Sequence, residues 1–304
     1  MNNNISNPIF KELLKLKLIN RRNLIKISNQ TRDKKIPVYK DQKSNVIFLE
    51  KYTTNTKYYE AVKYNDKSKK NNKKGIVNIK TLKGKIKTSK LNDDRRRVSQ
   101  FKRLLKNKNI LDFGCGWGGF LSSLKTIKSA TGIELRKECL TYIKKSLKKI
   151  FVTNNINNLN KKYDIITLFH ILEHIPYQVD TLKNLKKKLS KNGKIIIEVP
   201  SAHDHLLTFK SLDKFKKFTF WSEHLILHTE NSLRKVLKTS GLKNIKIIYY
   251  QRYNLNNHLG WFIKNRPGGH HFFKDVCDRT VNQNYIDYLV KKKRTDTLIA
   301  IASK

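Results

Sequence analysis

The segment Ile110 to Phe120 (ILDFGCGWGGF) constrains the fold of this chain more than any other. An apolar run with strand character, Asn109–Phe113, gives way without a spacer to glycines at 114, 116, 118 and 119. Glycine reaches positive φ cheaply and lets a backbone approach a ligand closely. A helix starting behind such a loop offers unpaired N–H groups to a carboxylate or phosphate. Strand, glycine loop and helix start in that order predict an open α/β sheet whose ligand sits beyond the strands' C-terminal ends.

The rest of the chain from Asp94 onward continues that alternation. Helices are expected over Arg95–Lys106, Trp117–Lys128, Arg136–Lys148 and Gln178–Leu189. Strands are expected at Asn109–Phe113, Ala130–Glu134, Ile150–Thr153, Tyr163–Phe169 and Lys194–Val199. The near-continuous apolar run Tyr163–Phe169 is what a strand covered on both faces requires. A further helix, Thr229–Thr239, starts at a threonine cap and ends at Gly241; strands Ile245–Tyr250 and Thr297–Ala302 follow. Residues 252–294 form a long insertion between those last two strands.

Before residue 95 the pattern is different. Residues 1–9 are polar and expected to be loose. Phe10–Ile27 carries spaced leucines that predict one or two short helices, and Ile36–Tyr39 with Val46–Leu49 reads as a hairpin. Lys67–Lys74 is a solvated loop by composition, and Gly75–Lys90 shows weak alternation. The domain reading is a small accessory or cap region over 1–94 and an α/β domain over 95–304, with 252–294 as a substrate lid. No internal repeat is visible.

Composition excludes some classes. At 304 residues and 38% hydrophobic content the chain can bury a core. No apolar run approaches the roughly 20 residues of a membrane span, and the lysine-interrupted N-terminus has no uncharged signal core. A cytoplasmic location is the expectation. Cys115, Cys139 and Cys277 are far apart and odd in number, which argues against a disulfide scaffold or a zinc cluster.

The net charge of +43 is spread along the chain and rests on 53 Lys against only 13 Arg. Arginine is the better fork for phosphates and base edges. The charge therefore reads as a solvated lysine coat rather than a nucleic-acid interface, and it steers anionic substrates inward.

The loop's own residues then narrow the ligand. Asp112, two positions before the first glycine, suits an ammonium group and would repel a pyrophosphate. Glu134 ends the next strand, where an acid can accept from both hydroxyls of a ribose. Gly114, Gly116 and Gly119 also satisfy G-x-G-x-x-G, so a NAD-dependent oxidoreductase competes at this point.

Taken with YDIITLFHILEHI (163–175), GKIIIEVP (193–200), HLILHTENSLRKVLKTSGL (224–242) and TDTLIAIASK (295–304), the loop and GIEL (132–135) resemble class I S-adenosylmethionine-dependent methyltransferases. The nearest branch is the one with ubiquinone-pathway O-methyltransferases and methyltransferases of surface-glycan clusters. The resemblance implies a Rossmann-like seven-stranded sheet whose last strand inserts antiparallel, here TDTLIAIASK. It implies S-adenosyl-L-methionine as cofactor, held at its methionine end by Asp112, Gly114, Cys115 and Gly116 and at its ribose by Glu134 and Leu135. Asn155 and Ile156 flank the adenine, though only amides stand there where many relatives keep an acid. Phe169 and His170 lie near the methyl donor.

Acceptor chemistry has its candidates after the fourth and fifth strands. A hydroxyl acceptor needs a base; His174 is the first candidate, as base or as orienter of the acceptor, with Glu173 grouped with it or pairing with it to order the loop, and His203 in the loop after EVP. Relatives in the ubiquinone pathway can hold a divalent metal where His170, Glu173 and His174 stand. A histidine in the first place disfavours a hard oxygen-seeking ion, and no metal is assigned. His224 and His228, four apart, would share a face if helical. Trp261 in the insertion could stack on a sugar or serve packing. The acceptor class expected is a small molecule or carbohydrate, anionic, reminiscent of nucleotide-linked sugars or surface-polysaccharide precursors. An RNA methyltransferase using the basic surface is the competing class; no RNA-recognition module and no NPPY-type tetrapeptide supports it.

Overall fold

The computed structural model describes residues 5–54, 58, 60 and 89–304. The loop expected at Lys67–Lys74 and the alternation expected over Gly75–Lys90, its last two residues aside, lie outside them. The chain forms two compact units. One gathers residues up to Thr53, Phe169–Lys187 and Ile196–Lys304; the other gathers Thr54–Leu168 and Lys188–Ile195.

The second unit holds the expected parallel strands β4 (Asn109–Phe113), β5 (Ser129–Ile133), β6 (Ile150–Thr153) and β7 (Tyr163–Phe169). Ile110 lies opposite Ala130 on β5 and Ile165 on β7, and Asp112 opposite Gly132 and Thr167. Ile110, Leu111, Ile166 and Leu168 are fully buried, as strands with two covered faces demand. Helix α2 (Ser89–Gln100) leads in, and α3 (Lys102–Leu105) follows a break at Phe101, so the helix expected at 95–106 is two pieces.

Helix α4 is a single turn, Gly119–Ser122, where a helix to Lys128 was expected. The cause is local. Gly118 caps it at φ 76°, and the hydroxyls of Ser122 and Ser123 both donate to the Gly119 carbonyl, competing with the helical ladder. Helix α5 (Lys137–Ser146) then crosses to β6.

The first unit begins with α1 (Pro8–Lys15) and three strands, β1 (Leu24–Ser28), β2 (Val38–Asp41) and β3 (Ile47–Leu49). The hairpin β2–β3 forms as expected. Two expectations fail. Residues 5–9 are anchored, because the buried Asn7 caps α1 and its amide donates to the carbonyls of Leu49 and Leu225. Helix α1 also stops early, after which Lys17 takes φ 55°; Leu24–Ser28 is a strand on β2, where the β-branched Ile25 and Ile27 fit a sheet better than a helix.

Helix α6 (Gln178–Lys188) and β8 (Leu189–Pro200) come next, β8 starting several residues before the expected Lys194. After α7 (Asp213–Thr219), β9 (Ile226–Leu227) pairs with β3, giving the sheet order β1-β2-β3-β9. Phe10, Leu13, Phe48 and Ile226 form its buried cluster. Helix α8 (Glu230–Thr239) starts at the capping box of Thr229 and Ser232, and Gly241 ends it at φ 80°. Strands β10 (Lys243–Tyr250) and β11 (Thr297–Ser303) are antiparallel. The large sheet therefore has the order β10-β11-β8-β7-β4-β5-β6, a seven-stranded, mostly parallel Rossmann-like sheet with its last strand inserted antiparallel.

The insertion folds as α9 (Leu255–Lys264), α10 (Gly269–Phe272) and α11 (Arg279–Lys291). Gly260 and Gly269 meet at backbone contact, where a Cβ on either would strike the other's main chain. Trp261 is 4% exposed and packs edge-on against Phe215 at 5.1 Å, so it is a core residue and not a sugar-stacking platform. Among the described residues no helix is long and apolar enough to cross a membrane.

Candidate functional site

The glycine loop is wired into the ends of two strands. Gly114 and Cys115 both donate their N–H to the Ile133 carbonyl, at 2.8 and 3.0 Å. Gly116, at φ 54°, has no atom within 4 Å of where a Cβ would stand. The loop thus presents bare backbone to open space, which is what close approach to a ligand needs. Cys115 packs so tightly on Gly132 that a Cβ there would lie 2.5 Å from its sulfur. Burial pushes its thiol far above the ordinary range, so it fills space and does no chemistry.

The two acids of the loop differ. Glu134 accepts from three backbone amides: Gly116 N at 2.8 Å on Oε2, and Leu135 N at 2.8 Å and Arg136 N at 2.9 Å on Oε1. It fixes the loop's far wall. Asp112 is buried and, among the described residues, accepts only a hydroxyl hydrogen bond from Thr167, 2.7 Å long. Burial pushes its carboxyl up to about 7, and neither the Thr167 hydroxyl nor the nearby Arg97 offsets that. A buried carboxylate so short of donors is completed by a cation. Asn155 is exposed and accepts from Asn157 N, and Ile156 opens the helical turn that follows β6. The same unit thus holds Asp112, Gly114, Cys115, Gly116, Glu134, Leu135, Asn155 and Ile156.

The first unit holds a second constellation. Past Phe169 the chain turns through His170 at φ 54°, a costly conformation for a non-glycine residue that marks a constrained site. His170 N donates to the Glu198 carbonyl at 2.8 Å. Its ring is clamped between two fully buried carboxylates, with Nδ1 donating to Glu173 Oε1 at 3.2 Å and Nε2 3.2 Å from Glu198 Oε1. Burial alone would lower the imidazolium; the two carboxylates more than offset it and hold His170 above its ordinary value. Burial would likewise raise Glu173, but the His170 hydrogen bond and the His174 ring overcome it and hold the carboxyl at about 2. His170 is therefore positioned by two carboxylates that favour its protonated form.

His174 closes the helical turn Leu172–His174. Its Nε2 lies 3.9 Å from Glu173 Oε1 and its Nδ1 4.0 Å from Glu223 Oε2. Its ring stands edge-on to His224 at 4.9 Å and to Trp221 at 6.3 Å. The main chain locks this together, with Leu225 N donating to the Glu173 carbonyl at 2.8 Å.

His224 and His228 are not on a helix. His224 lies in the turn after Trp221, and His228 follows β9 just before the Thr229 cap. Burial pushes His224 down to about 3, helped by His174, and His228 down to about 4. Both stay neutral at physiological pH. Glu173, His174 and His224 each bring one ligand atom within 4.8 Å of the others, a carboxylate and two imidazoles of the kind that hold a borderline metal.

His203 lies in the turn after β8, with its N–H on Ser201 Oγ at 3.0 Å. The sequence reading missed Glu198. Its signal was present: a single carboxylate inside the buried run of GKIIIEVP has to have a partner.

Comparison with known proteins gives three findings. A family model described as a methyltransferase domain matches residues 86–247. Among curated proteins, a tRNA U34 carboxymethyltransferase of Campylobacter fetus subsp. fetus is 28% identical over 104 residues, covering 31% of this chain and 37% of that one. The mitochondrial ubiquinone biosynthesis O-methyltransferase of Saccharomyces cerevisiae is 29% identical over 100 residues, covering 29% and 32%. The matches thus span about a third of those relatives. Among solved structures, a SAM-dependent methyltransferase from Archaeoglobus fulgidus is similar at 16% identity and a TM-score of 0.47, over 70% of this chain and 94% of that one.

Proposed function

This chain belongs to the class I, S-adenosylmethionine-dependent methyltransferases, and on that premise we propose that it transfers a methyl group from S-adenosyl-L-methionine to a hydroxyl of a small-molecule or carbohydrate-type, anionic acceptor. The observation that carries this reading is Asp112: a buried carboxylate with one hydroxyl partner among the described residues, beside a loop whose Gly116 faces open space. An amino-acid ammonium completes that carboxylate, whereas a dinucleotide's pyrophosphate would be repelled by it.

When bound, S-adenosylmethionine supplies a methyl group on a sulfonium already activated for displacement. The chain's own work is alignment, desolvation and proton removal. Asp112 holds the ammonium. Gly114, Cys115 and Gly116 offer the backbone wall, Glu134 and Leu135 receive the ribose, and Asn155 and Ile156 border the adenine. Phe169 and His170 stand at the end of β7 as the donor-side boundary. His174 accepts the acceptor's hydroxyl proton, and the carboxylates of Glu173 and Glu223 beside it stabilise the imidazolium that forms. Cys115, Cys139 and Cys277 are all free thiols, which supports a reducing, cytoplasmic compartment. The helical insertion 252–294 is assigned to the acceptor side as its cover.

Ligand-induced stabilisation tests the reading. S-adenosylhomocysteine at about 100 times its Kd should add about 2.7 kcal/mol, and NAD should add nothing; stabilisation by NAD alone would overturn it. RNA is the second reading of the acceptor, favoured by the +43 charge and by the tRNA-directed relative. It requires RNA binding that weakens steeply with salt.

A further inference from the structure

We propose that Lys40, His203 and Arg294 form a binding site for a phosphoryl group carried by the acceptor, an inference that rests on the methyltransferase reading above. All three lie in the first unit. Lys40 sits on β2 opposite Ile25 and Ile47 and shares a strand face with Val38 two residues earlier. Val38 is fully buried in a cluster with Ala202, the residue before His203. The strand therefore directs Lys40 toward the turn that carries His203.

That turn is held from every side. Ser201 N donates to the Asp296 carbonyl at 2.9 Å, Ala202 N to the His228 carbonyl at 2.8 Å and His203 N to Ser201 Oγ at 3.0 Å. His205 N donates to the Arg294 carbonyl at 3.2 Å, which brings Arg294 to the same turn. His203 feels both cations: after burial, Lys40 and then Arg294 depress its imidazolium, and Arg294 also depresses His205. Lys40 is itself half-buried, and burial lowers its ammonium.

No ion pair joins an acid to Lys40 or Arg294 among the described residues. The nearby carboxylates are committed elsewhere. Asp296 accepts from the amides of Arg252 and Tyr253 and from the Thr297 hydroxyl. Asp204 accepts from Leu206 N and is pushed by burial and by Asp296 up to about 8, so it is largely neutral at pH 7. Two cations and an imidazole, with Lys40 and His203 half-buried, Arg294 exposed and no ion pair to either cation among the described residues, are complementary to a group carrying about −1.5 to −2 charges with three acceptor oxygens. The link to the acceptor is structural: Ala202 is hydrogen-bonded to His228, the neighbour of the Glu173 cluster.

The test titrates inorganic pyrophosphate into the full chain at constant ionic strength. Lys40→Met with Arg294→Met keeps the apolar stems and removes both charges. Lys183→Ala with Lys274→Ala, both exposed, removes the same net charge elsewhere and controls for the lysine coat. The expected result is at least a roughly tenfold weaker pyrophosphate Kd in the first pair, wild-type affinity in the second, and an upward move of the His203 titration on binding, assigned by its loss in His203→Gln. Equal weakening in both pairs, or wild-type protein that responds no more to pyrophosphate than to sodium chloride, overturns the site. S-adenosylhomocysteine stabilisation is measured in the same samples. Retained there with no pyrophosphate site, it sinks this inference alone; lost in wild type, it sinks the methyltransferase reading.

Discussion

Replacing Asp112 with Asn should make the protein more stable and unable to hold its cofactor. Burial pushes the Asp112 carboxyl from an ordinary 3.8 up to about 7. That rise spans about 3 pH units at 1.36 kcal/mol each, so keeping the ionised form buried costs the fold up to ~4 kcal/mol above pH 7. Between pH 4 and 7 the folded chain retains a proton that the unfolded chain has released. Stability from this group therefore rises as pH falls through about 7 and is lost as pH rises. Asn is neutral throughout and still accepts from Thr167. The variant should exceed wild type by several kcal/mol at about pH 8, and the gap should narrow by ~2 kcal/mol at about pH 5.5. Urea melts at the two pH values, with and without S-adenosylhomocysteine, read both effects. Wild type should gain ligand stabilisation that weakens about tenfold in affinity per pH unit below 7, because the ammonium needs the ionised carboxylate. The variant should gain almost none. An Asn variant less stable than wild type at pH 8 without ligand, or one fully protected by S-adenosylhomocysteine, would refute the reasoning.

Three further outcomes follow from the geometry. His174→Ala should lower kcat by roughly 10²–10⁴-fold with cofactor affinity unchanged; normal turnover would remove His174 from the chemistry. Glu173→Gln strips a buried carboxylate from its two histidine partners and should cost about 3–5 kcal/mol. Because Glu173 is held at about 2, below its ordinary 4.5, its stabilisation is complete above pH 4.5 and fades as pH falls toward 2, so the variant's acid-unfolding limb should be flatter than wild type's. Gly269→Ala drives a methyl into the Asn256 and Asn257 carbonyls, which are backbone and cannot step aside; a loss of about 1–3 kcal/mol in thermal melts is expected, and a neutral result would mean that α9 and α10 are not in this contact.

The large sheet was legible because its signals are local. Tyr163–Phe169 and Asn109–Phe113 are mostly apolar, and glycines and a threonine cap mark where the chain changes direction. What failed was also local, but it depended on competition. Nothing in the apolar spacing of Trp117–Lys128 announces that Ser122 and Ser123 will both take the Gly119 carbonyl and stop the helix after one turn. Leu24–Ser28 carries the same leucines and isoleucines as a helix face would, and only the partner strand Val38–Asp41 makes it a strand.

The site divides along the same line. Asp112 and Glu134 could be placed by counting from the glycine loop, since a strand end fixes both. The histidine–carboxylate cluster could not, because its members come from positions 170 to 228 and meet through the pairing of β9 and the turn at Trp221. Sequence spacing made His224 and His228 look like one helix face; the fold instead sends His224 toward His174 and buries His228 against Ser232. The consequence is chemical. With the His170 ring 3.2 Å from both Glu173 and Glu198, and with His224 and His228 held neutral, His174 lies at the longer distances of 3.9 and 4.0 Å from the Glu173 and Glu223 carboxylates. That difference, which no spacing rule contains, is what supports the proposal that His174 is the proton acceptor.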